Sequence, residues 1–437
     1  MGWGHRRVRQ LLRKLAVPGD LRGDDLAEAV WRSSGGESPR AAVLDVVDRA
    51  LSSYPAIYAT IVRRVDVDGE PALGVARRLQ LSERTFFRYR GTAVGAVAAA
   101  LDVALNGARG DEPREVDLDA LALYARGRSA MRVRSRRSLQ RAIGYFTRAV
   151  ELAPEFAKAH AALADAHVVL GGSLLYDTRA EFGSAHAALE RAVGLNAKLP
   201  DVHAALADLY FYEQHDRRRA RDEVDLALAL DPNFFGALRL RALIALSERD
   251  ADGLFEHLRN ALARAPESLE LQTLLGVAHV NAGSAERGIA QLLEIVELNP
   301  DFPLARYELA RALVRCNRFA DAAAHLTALI AAEERPAFEA TLAYAEAFAG
   351  DPRRARRFLG DPHPSVAGNA YLRSWLHVAL GEVPAALSAL EEAVRRGEPW
   401  SVWIASDSFL APLRNEPRFR QLVAALAEPS APVPRAC

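Results

Sequence analysis

The sequence predicts an all-α protein: a small N-terminal helical domain followed by a right-handed α-solenoid. Three observations predict this. Residues 69–101 read as two helices separated by a tight break. Prolines 232, 266 and 300 stand 34 residues apart, each closing a similar apolar-patterned segment. No stretch shows convincing strand alternation.

Length and composition set the frame. A chain of 437 residues, half of them hydrophobic, holds two or more units with sizeable cores. The 56 Lys and Arg balance the 56 Asp and Glu, which alone argues against a nucleic-acid binder. The balance is uneven, however. Residues 1–110 carry 17 basic against 12 acidic side chains, and the remainder carries 39 against 44. A basic front end on a mildly acidic body suits a DNA-reading module on a scaffold. Two cysteines, Cys316 and Cys437, make neither a disulfide framework nor a zinc site. The basic N-terminus lacks the long apolar run of a signal peptide, and no segment is long enough to span a bilayer. A cytoplasmic protein with no membrane contact is expected.

In chain order, His5 to Ala16 forms an amphipathic helix with Val8, Leu11, Leu12 and Leu15 on one side. Residues 33–38 are a loop. Helices over 39–51 and 54–65 are expected to pack beneath the next element. In that element, Pro71 opens a helix whose Ala72, Val75, Ala76 and Leu79 share a face. Ser82 caps a second helix, and Phe86, Tyr89, Ala93, Val97 and Leu101 form its inner stripe. A small residue at the crossing (Ala76) and an apolar plug (Leu81) suit a helix-turn-helix, which projects its second helix into a major groove.

The run DGEPALGVARRLQLSERTFFRYRGTAVGAVAAAL resembles the helix-turn-helix of region 4 in bacterial sigma factors. With LLRKLAVPGDLRGDDLAEAVW upstream, it more closely resembles bacterial regulators that join such a motif to tetratricopeptide repeats. The resemblance covers roughly residues 8–105. It implies duplex DNA as a partner, with Arg84, Thr85 and Arg88 at base edges or phosphates and Ser82, Arg90, Arg77 and Arg78 on the backbone. The turn usually carries Gly where this chain has Gln80, and a left-handed conformation there costs a side chain ~1 kcal/mol.

The breaker-rich stretch 106–115 separates the units. The sequence thus divides into a domain over 1–107, a linker over 108–116, and a repeat array over 117–397. A capping segment over 398–428 and a tail over 429–437 follow.

The array is recognised by recurrence. The 34-residue spacing is the tetratricopeptide period. Leu206, Ala207 and Tyr210, then Ala220, Val224 and Ala227, recur in kind as Leu275, Gly276 and His279, then Gly288, Leu292 and Ile295. Small residues let paired helices approach, larger ones fill the gaps, and the proline ends the second helix. About eight helical pairs are expected, with a long connection over 171–182 and a shortened repeat over 336–360. The closing segment 400–426 is expected to cover the exposed face of the last repeat. A ligand-binding role for its Trp400 or Trp403 ranks below packing.

No phosphate loop, catalytic constellation or cofactor motif is present in the sequence, so no enzyme, metal or cofactor is expected. His160 and His167 lie two turns apart with no metal face beside them. The groove of the solenoid is lined by the first helix of each pair, where Asp208, Phe211, Tyr212, Val277, Asn281, Tyr307, Arg311 and Arg315 are expected to face it. Their mix of apolar, aromatic and charged groups suits a peptide or protein segment. The leading reading is a DNA-binding regulator whose repeats receive such a partner, and the alternative is a scaffold that does not read DNA. Readers of this kind commonly dimerise, which leaves a homodimer open, although no coiled-coil stripe appears.

Overall fold

The structure is a computed structural model that describes residues 56–67, 72–81, 118–173, 178–266, 268–333, 335–360 and 369–427. These residues form helices and turns, with no strand among them. None of the described helices is long and apolar enough to cross a membrane.

The first described piece holds α1 (Ala56–Ile61), which widens into a π-type turn over Val62–Val67, and α2 (Ala72–Arg78). Ile61, Val75 and Ala76 are buried together, with Ile57, Leu79 and Leu81 packed around them. Leu81 therefore plugs the turn as its apolar character predicts. Gln80 does adopt the left-handed conformation, at φ 55°, and the Leu81 N–H returns to the Ala76 carbonyl at 3.0 Å. The helix expected over 5–16, the second helix of the motif and the 106–115 boundary lie outside the described residues.

From residue 118 the helices pair in sequence. The pairs are α3 (Leu118–Met131) with α4 (Arg136–Leu152), and α5 (Ala157–Val168) with α6 (Thr178–Asn196). Next come α7 (Pro200–Tyr212) with α8 (Arg217–Leu230), and α9 (Phe235–Glu248) with α10 (Ala251–Arg264). Then follow α11 (Leu269–Asn281) with α12 (Ala285–Leu298), and α13 (Pro303–Arg315) with α14 (Phe319–Ala332). The last are α15 (Pro336–Phe348) with the short α16 (Arg353–Gly360), and α17 (Ala370–Ala379) with α18 (Val383–Arg395). Each helix packs on its partner and successive pairs pack on one another, which makes an all-α repeat solenoid.

Local chemistry fixes the boundaries. Pro200, Pro303 and Pro336 sit in first turns, where the missing N–H is harmless. The side chains of Asp216, Asp250, Ser268 and Asn369 cap α8, α10, α11 and α17. Helices α8, α10 and α12 end at Leu230, Arg264 and Leu298, two residues before prolines 232, 266 and 300. The second helices bury one stripe at the repeat spacing. Ala220, Leu254, Gly288 and Ala322 share one level, and Val224, Leu258, Leu292 and Leu326 share the next. At the α11–α12 crossing the backbones touch: a Cβ on Gly288 would lie 2.5 Å from the Gly276 carbonyl oxygen.

One recurrent feature is only partly marked by glycine. From α7 onward, the turn inside each pair places a left-handed residue at His215, Arg249, Gly283 and Asn317, each 34 residues after the last, then at Gly350 and Gly381. The following N–H reaches back to the first helix, as from Asp250 to Ala245 at 3.0 Å and from Arg318 to Leu313 at 2.9 Å. This is a Schellman-type cap. The turn at Gln80 closes in the same way.

The connection expected over 171–182 is shorter than predicted. Helix α5 runs on as a wide turn over Val169–Ser173, and α6 already begins at Thr178. Two glycines permit this close approach, since a Cβ on Gly172 would lie 2.9 Å from the Tyr212 Cβ.

Candidate binding groove

The sequence gives residues 400–426 the task of covering the last repeat. Helix α19 (Pro417–Ala427) does pack on α18, where Arg418 clasps Glu391 at 2.8 and 3.0 Å. The stretch before it does something else. Two 3₁₀ turns, Pro399–Trp403 and Ser408–Leu413, fold back against the first helices of the solenoid. Val402 is buried in the core formed by α5 to α11. Trp403 meets Phe211 edge-on, with ring centroids 5.3 Å apart. Arg217 donates to the Val402 carbonyl, and to that of Leu426 at 3.3 Å.

Two buried carboxylates lock this segment. Asp407 accepts from the Tyr371 hydroxyl at 2.8 Å and the Trp375 indole at 2.9 Å on one oxygen. On the other it accepts from Arg311 and from the Phe409 N–H, both at 3.0 Å. The Arg311 guanidinium also lies over the rings of Phe409, Trp375 and Tyr307, at 4.7, 5.2 and 5.7 Å. Glu398 caps α17, accepting the N–H groups of Ala370 and Tyr371 at 2.8 Å each.

His215, held in its left-handed turn, donates Nε2–H to the Glu398 carbonyl at 2.9 Å. Burial pulls its pKa down to about 4, from an ordinary 6.5. In the unfolded chain His215 therefore takes up a proton near pH 6.5 that the folded chain refuses until about pH 4. The stability that neutral His215 provides is complete above pH 6.5 and is lost as the pH falls towards 4. The full loss is roughly 3 kcal/mol. Urea midpoints measured from pH 7.5 to 4.5 should fall less steeply for His215→Gln than for the natural chain. Equal slopes would show that another group carries the acid sensitivity.

Between the back-folded segment and the first helices lies a cavity of about 170 Å³. Helices α9, α11 and α13 supply Leu243, Leu246, Leu274, Val277 and Ala312, and the segment supplies Trp400, Trp403, Ser406, Asp407 and Ser408. Of the eight residues expected to face the groove, Tyr212, Val277, Asn281, Tyr307, Arg311 and Arg315 line this cavity.

Several of these six are less open than the sequence suggests. Tyr307 is buried, its hydroxyl 3.1 Å from that of Thr341, and Arg311 is taken by Asp407. Asp208 and Phe211 are corrections. Phe211 is fully buried because Trp403 covers it. Asp208 is buried because Arg239 on α9 clasps both its oxygens, at 2.9 and 2.7 Å. Burial pushes the Asp208 carboxyl up, and the Arg239 charge opposes that rise. Arg239 also lies 3.9 Å from Glu270, which Arg134 holds at 2.8 Å. Arg134, Arg239, Glu270 and Asp407 escaped the sequence reading, because each owes its place to a partner in another repeat.

At the mouth the charge is one-sided. Arg315 is exposed and donates to Asn281, its equivalent one repeat earlier. Arg414, just beyond the second 3₁₀ turn, donates to the Asp407 backbone carbonyl at 3.5 Å. Burial pulls its pKa down, the Arg249 and Arg315 charges add to that fall, and Asp407 opposes it.

Of the residues expected to contact DNA, Arg77 and Arg78 are exposed at the end of α2. Ser82, Arg84, Thr85, Arg88 and Arg90 lie outside the described residues. His160 and His167 are engaged locally, with the Pro154 carbonyl at 3.1 Å and Glu181 at 2.6 Å. Among the described residues no group of three His, Cys, Asp or Glu is placed to hold a metal ion.

Comparison with known proteins follows the repeat. A tetratricopeptide repeat family model matches residues 307–361. No curated protein matches the chain. Among solved structures the chain is similar to a human IFIT1 dimer with PPP-AAAA. That match has 16% identity and a TM-score of 0.48, and it covers 81% of this chain and 94% of that one. It is also similar to the Cut9–Hcn1 hetero-tetramer of the APC/C, at 14% identity and TM-score 0.48, over 89% of this chain and 72% of that one. A tetratricopeptide repeat protein from Parabacteroides merdae matches at 13% identity and TM-score 0.35, over 71% of this chain and all of that one. The family match itself spans the stretch from Tyr307 on α13 to the end of α16.

Proposed function

We propose that the chain is a binding scaffold without catalytic chemistry, whose groove receives an extended peptide or protein segment. The observation that carries this reading is the groove's own occupant. A stretch of the chain built of two 3₁₀ turns already lies along the first helices, held by backbone carbonyls and by aromatic and carboxylate side chains. The cavity beside it offers the same kinds of contact to an extended segment.

A peptide library selected on the full chain tests this. Selected peptides should lose about tenfold or more in affinity for Val277→Glu, which sets a charge on the half-buried cavity wall. Peptides that bind both proteins equally would move the site elsewhere.

The DNA-reading role expected of residues 70–101 rests on the sequence resemblance. The turn at Gln80 supports a helical hairpin, but it shares its form with the turns inside the repeats. Random duplex DNA offered to the same full chain is the alternative probe. A motif enriched by the natural protein and lost by Arg84→Ala/Arg88→Ala would add DNA to its partners.

A further inference from the structure

We propose that the mouth of the groove is a site for an acidic peptide, whose side-chain carboxylates bind Arg315 and Arg414 while an adjacent apolar side chain enters the cavity. This rests on the groove being a peptide site and names the chemistry of the peptide.

The first support is a precedent within the molecule. On α13, Arg311 holds the carboxylate of Asp407, and that carboxylate belongs to a segment of 3₁₀ turns rich in aromatic residues. Arg315 lies one helical turn further along the same face, so it points the same kind of group at the next stretch of groove. Arg311 has its carboxylate. Arg315 has only the Asn281 amide oxygen, a neutral acceptor.

The second support is the imbalance of charge at the mouth. Burial depresses the Arg414 pKa, the Arg249 and Arg315 charges add to that fall, and Asp407 opposes it. The only hydrogen bond of the Arg414 guanidinium among the described residues goes to a backbone carbonyl, and its Nε, though buried, has no partner. The nearest carboxylate, Asp407, is already taken by Arg311, Tyr371 and Trp375, so Arg315 and Arg414 gain from an anion placed beside them. Charge-assisted contacts of this kind are the stronger class of hydrogen bond.

The wall decides which anion. Leu243, Leu246, Leu274 and Val277 make it apolar, which suits an aliphatic or aromatic side chain. Glu270, Glu308 and Asp407 also stand on it and hold Arg134, Arg239 and Arg311 in ion pairs, so a polyanion threaded inward meets arginines that are already paired. A nucleic-acid strand, with a phosphate at every step, fits that wall poorly. A peptide with an apolar residue beside one or two acidic ones keeps its charge at the mouth and its apolar group inside.

Fluorescence anisotropy on the full chain tests this with short, C-terminally amidated peptides. Each carries one Leu or Phe flanked by Asp and Glu, by Asn and Gln, or by Lys and Arg. An oligoribonucleotide is the fourth probe. The acidic set should bind at least tenfold tighter than the neutral set, and its affinity should fall as salt rises. Arg315→Ala/Arg414→Ala should erase that preference while binding to the neutral set persists. Arg418→Ala, on the outer face of α19, should leave both unchanged.

Neutral or basic peptides binding best, or the oligoribonucleotide binding tightest, would overturn the acidic assignment. In the peptide cases the groove would remain a peptide site. No binding by any peptide would overturn that reading as well. The charge series uses the unaltered protein, so the result does not depend on how a variant folds.

Discussion

Asp407→Ala should destabilise the chain by about 3–5 kcal/mol and release the C-terminal segment from the groove. The carboxylate is nearly inaccessible, and four donors converge on it: the Tyr371 hydroxyl, the Trp375 indole, the Arg311 guanidinium and the Phe409 backbone. Removing it leaves three buried donors without an acceptor and the first turn at Ser408 without its cap. The Arg311 charge then lies among Tyr307, Trp375 and Phe409 with only Glu308, 3.7 Å away, to offset it. Ring faces attract a cation, but those contacts are already made in the natural chain and do not replace the lost carboxylate. Asp407→Asn should cost less, because the amide oxygen still accepts while the charge is lost. Urea unfolding followed by tryptophan fluorescence reads both effects, since Trp375 and Trp400 pack together beside the carboxylate. A loss under about 1 kcal/mol for the alanine variant would mean that the apolar contacts of Val402 and Trp403 hold the segment unaided.

That carboxylate marks where the sequence stopped being legible. The repeat was readable because packing within a pair is local. Ala220, Val224 and Ala227 need only each other and α7, and the same spacing at Gly288, Leu292 and Ile295 repeats the signal. The turns inside the pairs were harder. A left-handed residue is usually announced by Gly, yet His215, Arg249 and Asn317 fill that place. The final segment gave no signal of its course. Its residues show neither helical nor strand period, and their partners lie far away: His215 is 183 positions from Glu398, and Arg217 is 185 from Val402. The register could put Tyr212, Val277 and Arg315 on the inner face. It could not show that Trp403 would cover Phe211, or that Arg239 would take Asp208 out of reach. Those outcomes depend on which segment enters the groove, and no single repeat encodes that.

Arg239→Ala should be as damaging as the loss of Asp407, again by about 3–5 kcal/mol, and acid should partly repair it. Arg239 and Asp208 are each 4% exposed at the side chain, and their contact is two-pronged. Without the guanidinium, the Asp208 carboxylate is buried near Asp165, which disfavours its charge further. Its folded pKa, already raised by burial, then rises more above the unfolded value of 3.8. A carboxyl raised in the folded state binds a proton that the unfolded chain has released, so stability increases as pH falls from 7 towards 5. The opposite trend is expected from His215, so the comparison belongs in a His215→Gln background. Asp208→Asn/Arg239→Met should cost clearly less than Arg239→Ala, because it removes both charges and refills most of the volume. If the double variant were the worse of the two, the ion pair would be a net source of stability. If it is the better, the pair is kept for what it builds: a fixed link between α7 and α9 beneath the cavity, which holds Tyr212 and Leu243 at the spacing a bound segment meets.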